Sequence, residues 1–366
     1  MKRYSRFLLV IALLGQIVLT ACSVTQQTAE QPGNSIPMVE DIFTNPTVST
    51  VQEDTAPVQP PQKPGASHNT MGGINIGPEG QPLMDEIGPY RLYEGGELSM
   101  PFAIHATGSI GDQGIGILLF LDGMPQPYKI EENGAYQYMH TFYPTSGEAY
   151  LADISFIPVT GQSGDTLELY AATILDPDFC IEEGIKGFVY THGSVVSGTR
   201  LRFDAAPPSC DDLISNHRLI SQTSSYIDSS FSEISGWSDT DLMEKIEAHL
   251  YVNDVDDEKD CILYGVTADE PVRIRYEVWG SPYVHYSLIV FLDNVPVFTA
   301  EEEILSVTIQ NGKKTVIEAE LDMTGFDGES VVYVMLVPRN YRTSEIRTLA
   351  FLNSSRTFFL VSDEKQ

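Results

Sequence analysis

Basic residues are scarce in this chain: 21 Lys and Arg stand against 51 Asp and Glu, a formal net charge of −30 over 366 residues. Nucleic-acid binding needs clustered Lys and Arg to displace counterions from phosphates. The sequence holds no such cluster, so nucleic acid is excluded as a partner. A balance this acidic keeps the protein soluble, turns it away from anionic lipid surfaces and favours a neutral or cationic partner. Cysteine is also rare, with four residues and no CxxC spacing, which argues against a zinc or dithiol redox site. The seven histidines form no HxH or HExxH pattern, and there is no GxSxG elbow. Gly111, Gly114 and Gly116 mimic a Gly-rich loop but precede a strand-like run, so no phosphate cradle follows. Outside residues 7–19 no apolar run approaches the roughly 20 residues of a spanning helix. No residue is identified as catalytic, and no cofactor is expected beyond the calcium reading below.

What is present begins with Lys2, Arg3 and Arg6 ahead of an apolar stretch over residues 7–19. A basic region followed by a short hydrophobic one is the layout of an export signal. The stretch ends in Leu19, Thr20, Ala21 and Cys22. This resembles the lipobox of bacterial lipoproteins, over residues 1–22 only. The resemblance implies a signal peptide at 1–21, cleavage before Cys22 and acyl chains (palmitate among them) on Cys22. It therefore implies a protein held to the cell membrane on its extracytoplasmic face. Each buried CH₂ of such chains contributes about 0.8 kcal/mol, and two chains anchor where one is marginal. The alternative is an ordinary secretory signal with an unmodified cysteine. Loss of residues 1–21 leaves 18 basic against 51 acidic side chains.

Residues 22–84 are expected to be the lipidated cysteine and a disordered tether, rich in Thr, Gln, Ser and Pro, too poor in apolar periodicity to offset its conformational entropy. With Cys22 assigned to lipid, Cys180, Cys210 and Cys261 remain in an oxidising compartment. Cys180 and Cys210 are the candidate disulfide, closing a loop of about 30 residues for roughly 3 kcal/mol. Cys261 is expected to be a buried thiol.

From Tyr90 onward, short runs rich in Val, Ile, Phe and Tyr alternate with polar residues and are cut by Gly, Asp, Asn and Pro, a strand signature. The cleanest is Val272, Ile274, Tyr276 and Val278 on one face, with Arg273, Arg275 and Glu277 on the other. Two stretches are copies of each other: Phe120, Leu121, Asp122 and Pro125 match Phe291, Leu292, Asp293 and Pro296 at an offset of 171. Gly108 matches Gly280 upstream, and residues 154–158 resemble residues 334–338 downstream. A shared order at near-constant offset marks an internal repeat. Each copy opens on a continuous apolar run, a strand buried on both faces or in a sandwich core. Asp122-Gly123 and Asp293-Asn294 then supply residues that tolerate positive φ in a tight turn. The expected fold class is all-β. It has two tandem β-sandwich domains, immunoglobulin-like by analogy, at 85–207 and 250–362, joined by a segment at 208–249 with a short helix over 238–250. Ser238 is the proposed N-cap, and Leu242, Ile246 and Leu250 form the apolar stripe.

Two groups of residues are candidate sites. Tyr136 and Tyr138 lie two apart, on one face if they occupy a strand; with Tyr128 and Tyr143, and with Trp237 and Trp279 near loop ends, they are a candidate ligand surface for a glycan or protein. Cross-strand core packing is the alternative. Asp254, Asp256, Asp257, Glu258 and Asp260 place oxygen atoms at spacings that suit calcium. The calcium-loop Gly and Glu are missing, with Lys259 and Gly265 in their places, and a solvated acidic turn is the alternative. The leading functional expectation is a lipid-anchored, non-catalytic binding or spacer module for an extracellular glycan or protein. A solute-capture lipoprotein of a transporter and an envelope hydrolase are the alternatives.

Overall fold

A computed structural model describes residues 73–108, 114–178, 196–208, 219–228, 246–256, 261–280, 285–299, 304–310, 313–326, 328–339, 353–355 and 357–362. Among these residues every regular element is a strand, and the strands form four sheets. The first sheet orders Ile74–Pro78 (β1), Leu98–Ala106 (β4) and Ala149–Phe156 (β8). The second orders Leu83–Asp85 (β2), Gly88–Tyr93 (β3), Val196–Phe203 (β10), Thr166–Leu175 (β9), Ile115–Leu121 (β5) and Met124–Pro125 (β6), with Met139–Phe142 (β7) also paired to β5. The third orders Leu219–Asp228 (β11), Lys313–Leu321 (β19), Val272–Gly280 (β15), Ile246–Val252 (β12) and Val255–Asp256 (β13). The fourth orders Ile262–Val266 (β14), Phe358–Ser362 (β22), Glu329–Arg339 (β20), His285–Leu292 (β16) and Val295–Val297 (β17). There Leu305–Thr308 (β18) also pairs with β16, and Asn353–Ser354 (β21) with β20.

The topology repeats. The order β1-β4-β8 recurs as β12-β15-β19, and β3-β10-β9-β5-β6 recurs as β14-β22-β20-β16-β17. In each copy an early strand pairs in parallel with the last one, β3 with β10 and β14 with β22. The sequence match between residues 154–158 and 334–338 is corrected by this topology. Residues 154–156 belong to β8, whose counterpart is β19, whereas 334–338 lie in β20, the counterpart of β9. Similar apolar strings in a β protein need not be the same strand.

Period-two alternation places the cores. Val272, Ile274, Tyr276 and Val278 all point inward at 3% exposure or less, packed against Tyr286, Leu288, Val290 and Leu292 of β16. The first two sheets close over a matching layer that includes Met100, Phe102 and Ile104 of β4 and Ile117, Leu119 and Leu121 of β5. β5 is buried at every position because its other face is covered too. Leu118 and Phe120, with Tyr170, Ala172 and Ile174 of β9, pack on Ile289 and Phe291 of β16 and Tyr333, Met335 and Val337 of β20. The large sheets of the two repeats thus lie face to face, and the apolar runs of the two copies cover each other.

The helix expected over 238–250 is corrected. Among the described residues there is no helix, and the region's described part, from Ile246, is strand β12, paired with β15 from Ile246↔Gly280 to Val252↔Ile274. Spacings of four and eight are even numbers, so Ile246 and Leu250 share a face in a strand as they would in a helix. Ala248 and Val252 complete that face: Val252 is buried, and Ile246 and Ala248 pack on the same core. At the i+3 spacing that only a helix brings to that face, the residue after Ile246 is the polar His249. Three further strands begin outside the two expected domains: β1 and β2 start within the expected tether at 22–84, and β11 lies within the expected inter-domain segment at 208–249.

A candidate binding face on the third sheet

Among the described residues, the candidate aromatic residues differ widely in exposure. Tyr128 is fully buried at 0% exposure, and its hydroxyl donates to the Ile117 carbonyl at 2.8 Å. Burial pushes its phenol far above the usual range. Tyr136 is half-buried and donates to the Glu97 carboxylate. That bond, together with Lys129 at 3.0 Å, holds Glu97 below the usual carboxylate range. Tyr138 packs 6.4 Å from the Phe298 ring, and burial pushes its phenol up to about 12. Tyr143 alone is largely exposed, at 58%, with its hydroxyl donating to Asp178 at 3.2 Å. The shared-face argument needed a strand over 136–138, and the strand there, β7, starts at Met139. Trp279 is 3% exposed on β15, its ring stacked on His249 at 5.2 Å. Cys22, Cys180, Cys210, Trp237, Asp257, Glu258 and Asp260 lie outside the described residues. Cys261 is buried at 2% exposure.

The described start of the acidic cluster has a turn geometry. Asn253 and Asp254 have φ of 46° and 67° and link β12 to β13 in a two-residue hairpin with Val252↔Val255 as the closing pair. Positive φ at both central residues is what a type I′ turn requires, and Asn and Asp tolerate it. The Asp254 carboxylate accepts from the Arg273 guanidinium at 2.8 Å, and the Asn253 side-chain oxygen accepts from the Arg273 N–H at 2.8 Å. Among the described residues no three His, Cys, Asp or Glu side chains are grouped to hold a metal ion.

The outer face of the third sheet carries a groove of about 290 Å³ lined by Ser221, Thr223, Tyr251, Arg273, Arg275, Glu318 and Glu320, among others. Strand register builds it. Thr223, Glu318, Arg275 and Tyr251 stand side by side across four strands, and Ser221, Glu320 and Arg273 form the neighbouring row. The Arg275 guanidinium lies 4.1 Å over the Tyr251 ring, and its Nε is 3.7 Å from Glu277, which also accepts from Lys314 at 2.7 Å. Each strand contributes alternate residues, so the inward set makes the core and the outward set is free to be polar. The result is a surface of fixed guanidinium donors, carboxylate acceptors and hydroxyls around one aromatic ring, able to hydrogen-bond a polar ligand at several points. The sequence shows the outward alternation Arg273, Arg275, Glu277. It does not show that Glu318, Glu320, Ser221 and Thr223 stand opposite, because that register spans up to about a hundred residues of chain.

No family model and no curated protein matches this chain. Solved structures similar to it include the C-terminal domain of the Streptococcus agalactiae AgI/II polypeptide BspA (10% identity, covering 79% of this chain and 100% of that one, TM-score 0.22). The C-terminal domain of the Streptococcus pyogenes antigen I/II-family protein AspA is another (8% identity, 80% and 99% covered, TM-score 0.19). So is the N-terminal Ig1-2 module of the Drosophila receptor protein tyrosine phosphatase DLAR (9% identity, 79% and 98% covered, TM-score 0.19). The fold assignment stands on the strand pairings alone.

Proposed function

We propose that this chain is a lipid-anchored, extracytoplasmic binding module without catalytic chemistry, which engages a glycan or protein partner through the outer face of its third sheet. One observation carries the reading: the large sheets of both repeats are consumed in packing against each other, which leaves small-sheet faces to meet a partner. Of these, the third sheet's face bears the groove with paired guanidinium and carboxylate groups. The groove's polar lining suits a hydroxylated or charged ligand and not an apolar one. The anchor rests on residues 19–22 and their resemblance to a lipobox. Two measurements test the proposal. Growth with an alkyne-tagged palmitate is expected to label the protein, and Cys22→Ser is expected to lose the label and leave the membrane fraction; label retained by Cys22→Ser overturns the anchor. On a glycan and surface-protein array, Arg275→Ala and Glu318→Gln are each expected to weaken whatever the wild type binds by about tenfold or more, the loss of one charge-assisted hydrogen bond. Binding unchanged in both variants overturns the assignment to this face.

A further inference from the structure

We propose that the open edge of β8 accepts an extended, neutral-to-basic peptide segment of a partner protein as an added antiparallel strand. This surface lies on the first repeat and does not depend on the groove. The two repeats treat the same edge differently. In the second, the outer side of β19 is paired along its length with β11, from Asp228↔Lys313 to Leu219↔Leu321. In the first, β8 holds the place of β19 but ends its sheet. Among the described residues its outer side carries a single bridge, Lys129↔Ser155, with both N–H groups donating at 2.9 Å.

That bridge fixes which groups remain open. In an antiparallel strand alternate residues turn both N–H and C=O to the same side. The Ser155 main-chain groups point outward, so those of Asp153, Leu151 and Ala149 do as well, and among the described residues no strand bonds to them. Natural edges are blunted by Lys, Pro or a bulge. The stretch 149–153 reads Ala-Tyr-Leu-Ala-Asp and is paired without a bulge to β4 from Leu98↔Phe156 to His105↔Ala149. Leu151 is 67% exposed and Tyr150 41%, so apolar area is offered beside the unpaired backbone. The Tyr150 ring rests on Phe142 at 5.7 Å, which holds the edge in place before anything binds.

Charge selects the occupant. The acids on and beside the strand are Glu148 and Asp153, both exposed; the base at the edge, Lys129 on the bridge to Ser155, is paired with Glu97 at 3.0 Å. A neutral or basic segment is complementary, and an acidic one is repelled. β11 shows the kind of strand such an edge takes, since it has no charged residue before Asp228. A second copy of this chain is the poorer occupant because each copy carries a formal net charge of −30, and like-charged copies repel.

The test uses the full-length protein and a display library of extended peptides of about ten residues, neutral to positive in charge. Main-chain pairing tolerates sequence, so the library is expected to yield binders. Their binding is expected to slow amide exchange at residues 149–153 and to weaken by roughly tenfold or more in Leu151→Lys and Leu151→Pro. Pro is tolerated where the N–H faces solvent, and Leu151→Lys keeps the comparison valid if the Pro variant is unstable. Groove binding is expected to be the same in both variants. The proposal is overturned by an absence of binders, by equal binding in both variants, by protection mapping elsewhere, or by dimers of the chain that bury β8 in sedimentation runs without peptide.

Discussion

Tyr128 and Arg200 are buried polar side chains whose donors are satisfied, Tyr128 against a backbone carbonyl and Arg200 against backbone carbonyls and the Asp85 carboxylate. Tyr128 has one donor and one bond, to Ile117 at 2.8 Å. Tyr128→Phe keeps the ring and removes the bond, leaving a buried carbonyl short of one partner. The expected cost is about 1–2 kcal/mol, read as a lower urea midpoint at unchanged slope. Arg200 is 1% exposed at its side chain. It donates to the Pro89 carbonyl at 2.9 Å, to the Gly88 carbonyl, and to both Asp85 oxygens at 3.0 and 2.5 Å. It fastens the β2–β3 hairpin to β10. The Arg200 bond, helped by the N–H groups of Ile87 and Gly88, holds the Asp85 carboxyl below its usual range. A carboxyl whose folded pKa is depressed contributes stability above its unfolded value, about 3.9, and that contribution disappears as pH falls through the folded value. Asp85→Asn is therefore expected to melt below wild type near neutral pH, with the gap closing in acid. Thermal melts from about pH 2 to pH 7 check this, and a pH-independent gap contradicts it. Neither role was legible in the sequence. Tyr128 sits between Pro127 and Lys129 with no periodic neighbours, and the partner of Arg200 is 115 residues away.

The turns are the elements the sequence specified best. Asp122-Gly123 and Asp293-Asn294 were expected to adopt positive φ, and they do, at 50° and 77° and at 50° and 64°. The two turns are not equally tolerant. A Cβ on Gly123 would lie 2.5 Å from Arg339 Cγ and 2.8 Å from Ser287 Oγ, so Gly123→Ala adds crowding to a left-handed backbone that already costs about 1–2 kcal/mol without glycine. Asn294→Gly relieves that backbone cost but removes the side-chain oxygen that accepts from the Tyr333 hydroxyl at 3.1 Å, so the two effects offset and the net change is expected to stay under about 1 kcal/mol. Guanidinium denaturation of both variants measures the contrast; equal and opposite shifts of similar size at the two turns, or a neutral Gly123→Ala, contradict it. Strand β12 was less legible, for a reason its residues display. Ile246 and Leu250 satisfy helix and strand faces alike, and the residues that complete the period of two are the small Ala248 and Val252, which lies past the end of the expected helix. The third-sheet groove was half legible. One strand's outward residues announce a polar face, while the identity of the neighbouring strands is a property of topology.

At the scale of the molecule, the apolar runs of β5 and β16 were readable as strands covered on both sides, but neither run says by what. The cover is its own counterpart. Phe120 and Phe291, matched in the repeat, meet edge to face at 6.3 Å with planes at 90°, and Phe291 stacks on Tyr333 at 4.9 Å. A face repeated in tandem can be self-complementary, as in a two-fold dimer interface, with the linker removing the entropic cost of finding the partner. Two consequences are measurable. Phe120→Ala and Phe291→Ala are each expected to cost about 3–5 kcal/mol. A double-mutant cycle is expected to return a coupling of about 0.5–1.5 kcal/mol, the aromatic pair's own share beyond burial. Because this interface is a buried core like the two within the sandwiches, the repeats are expected to unfold in one calorimetric transition. Leu118→Asp combined with Ile289→Asp buries two like charges against each other and is expected to split that transition in two while each sandwich keeps its own core. Two transitions in the wild type, or one in the charged variant, would mean that the large sheets are not joined as described. The outer faces would then no longer be the surfaces left for a partner.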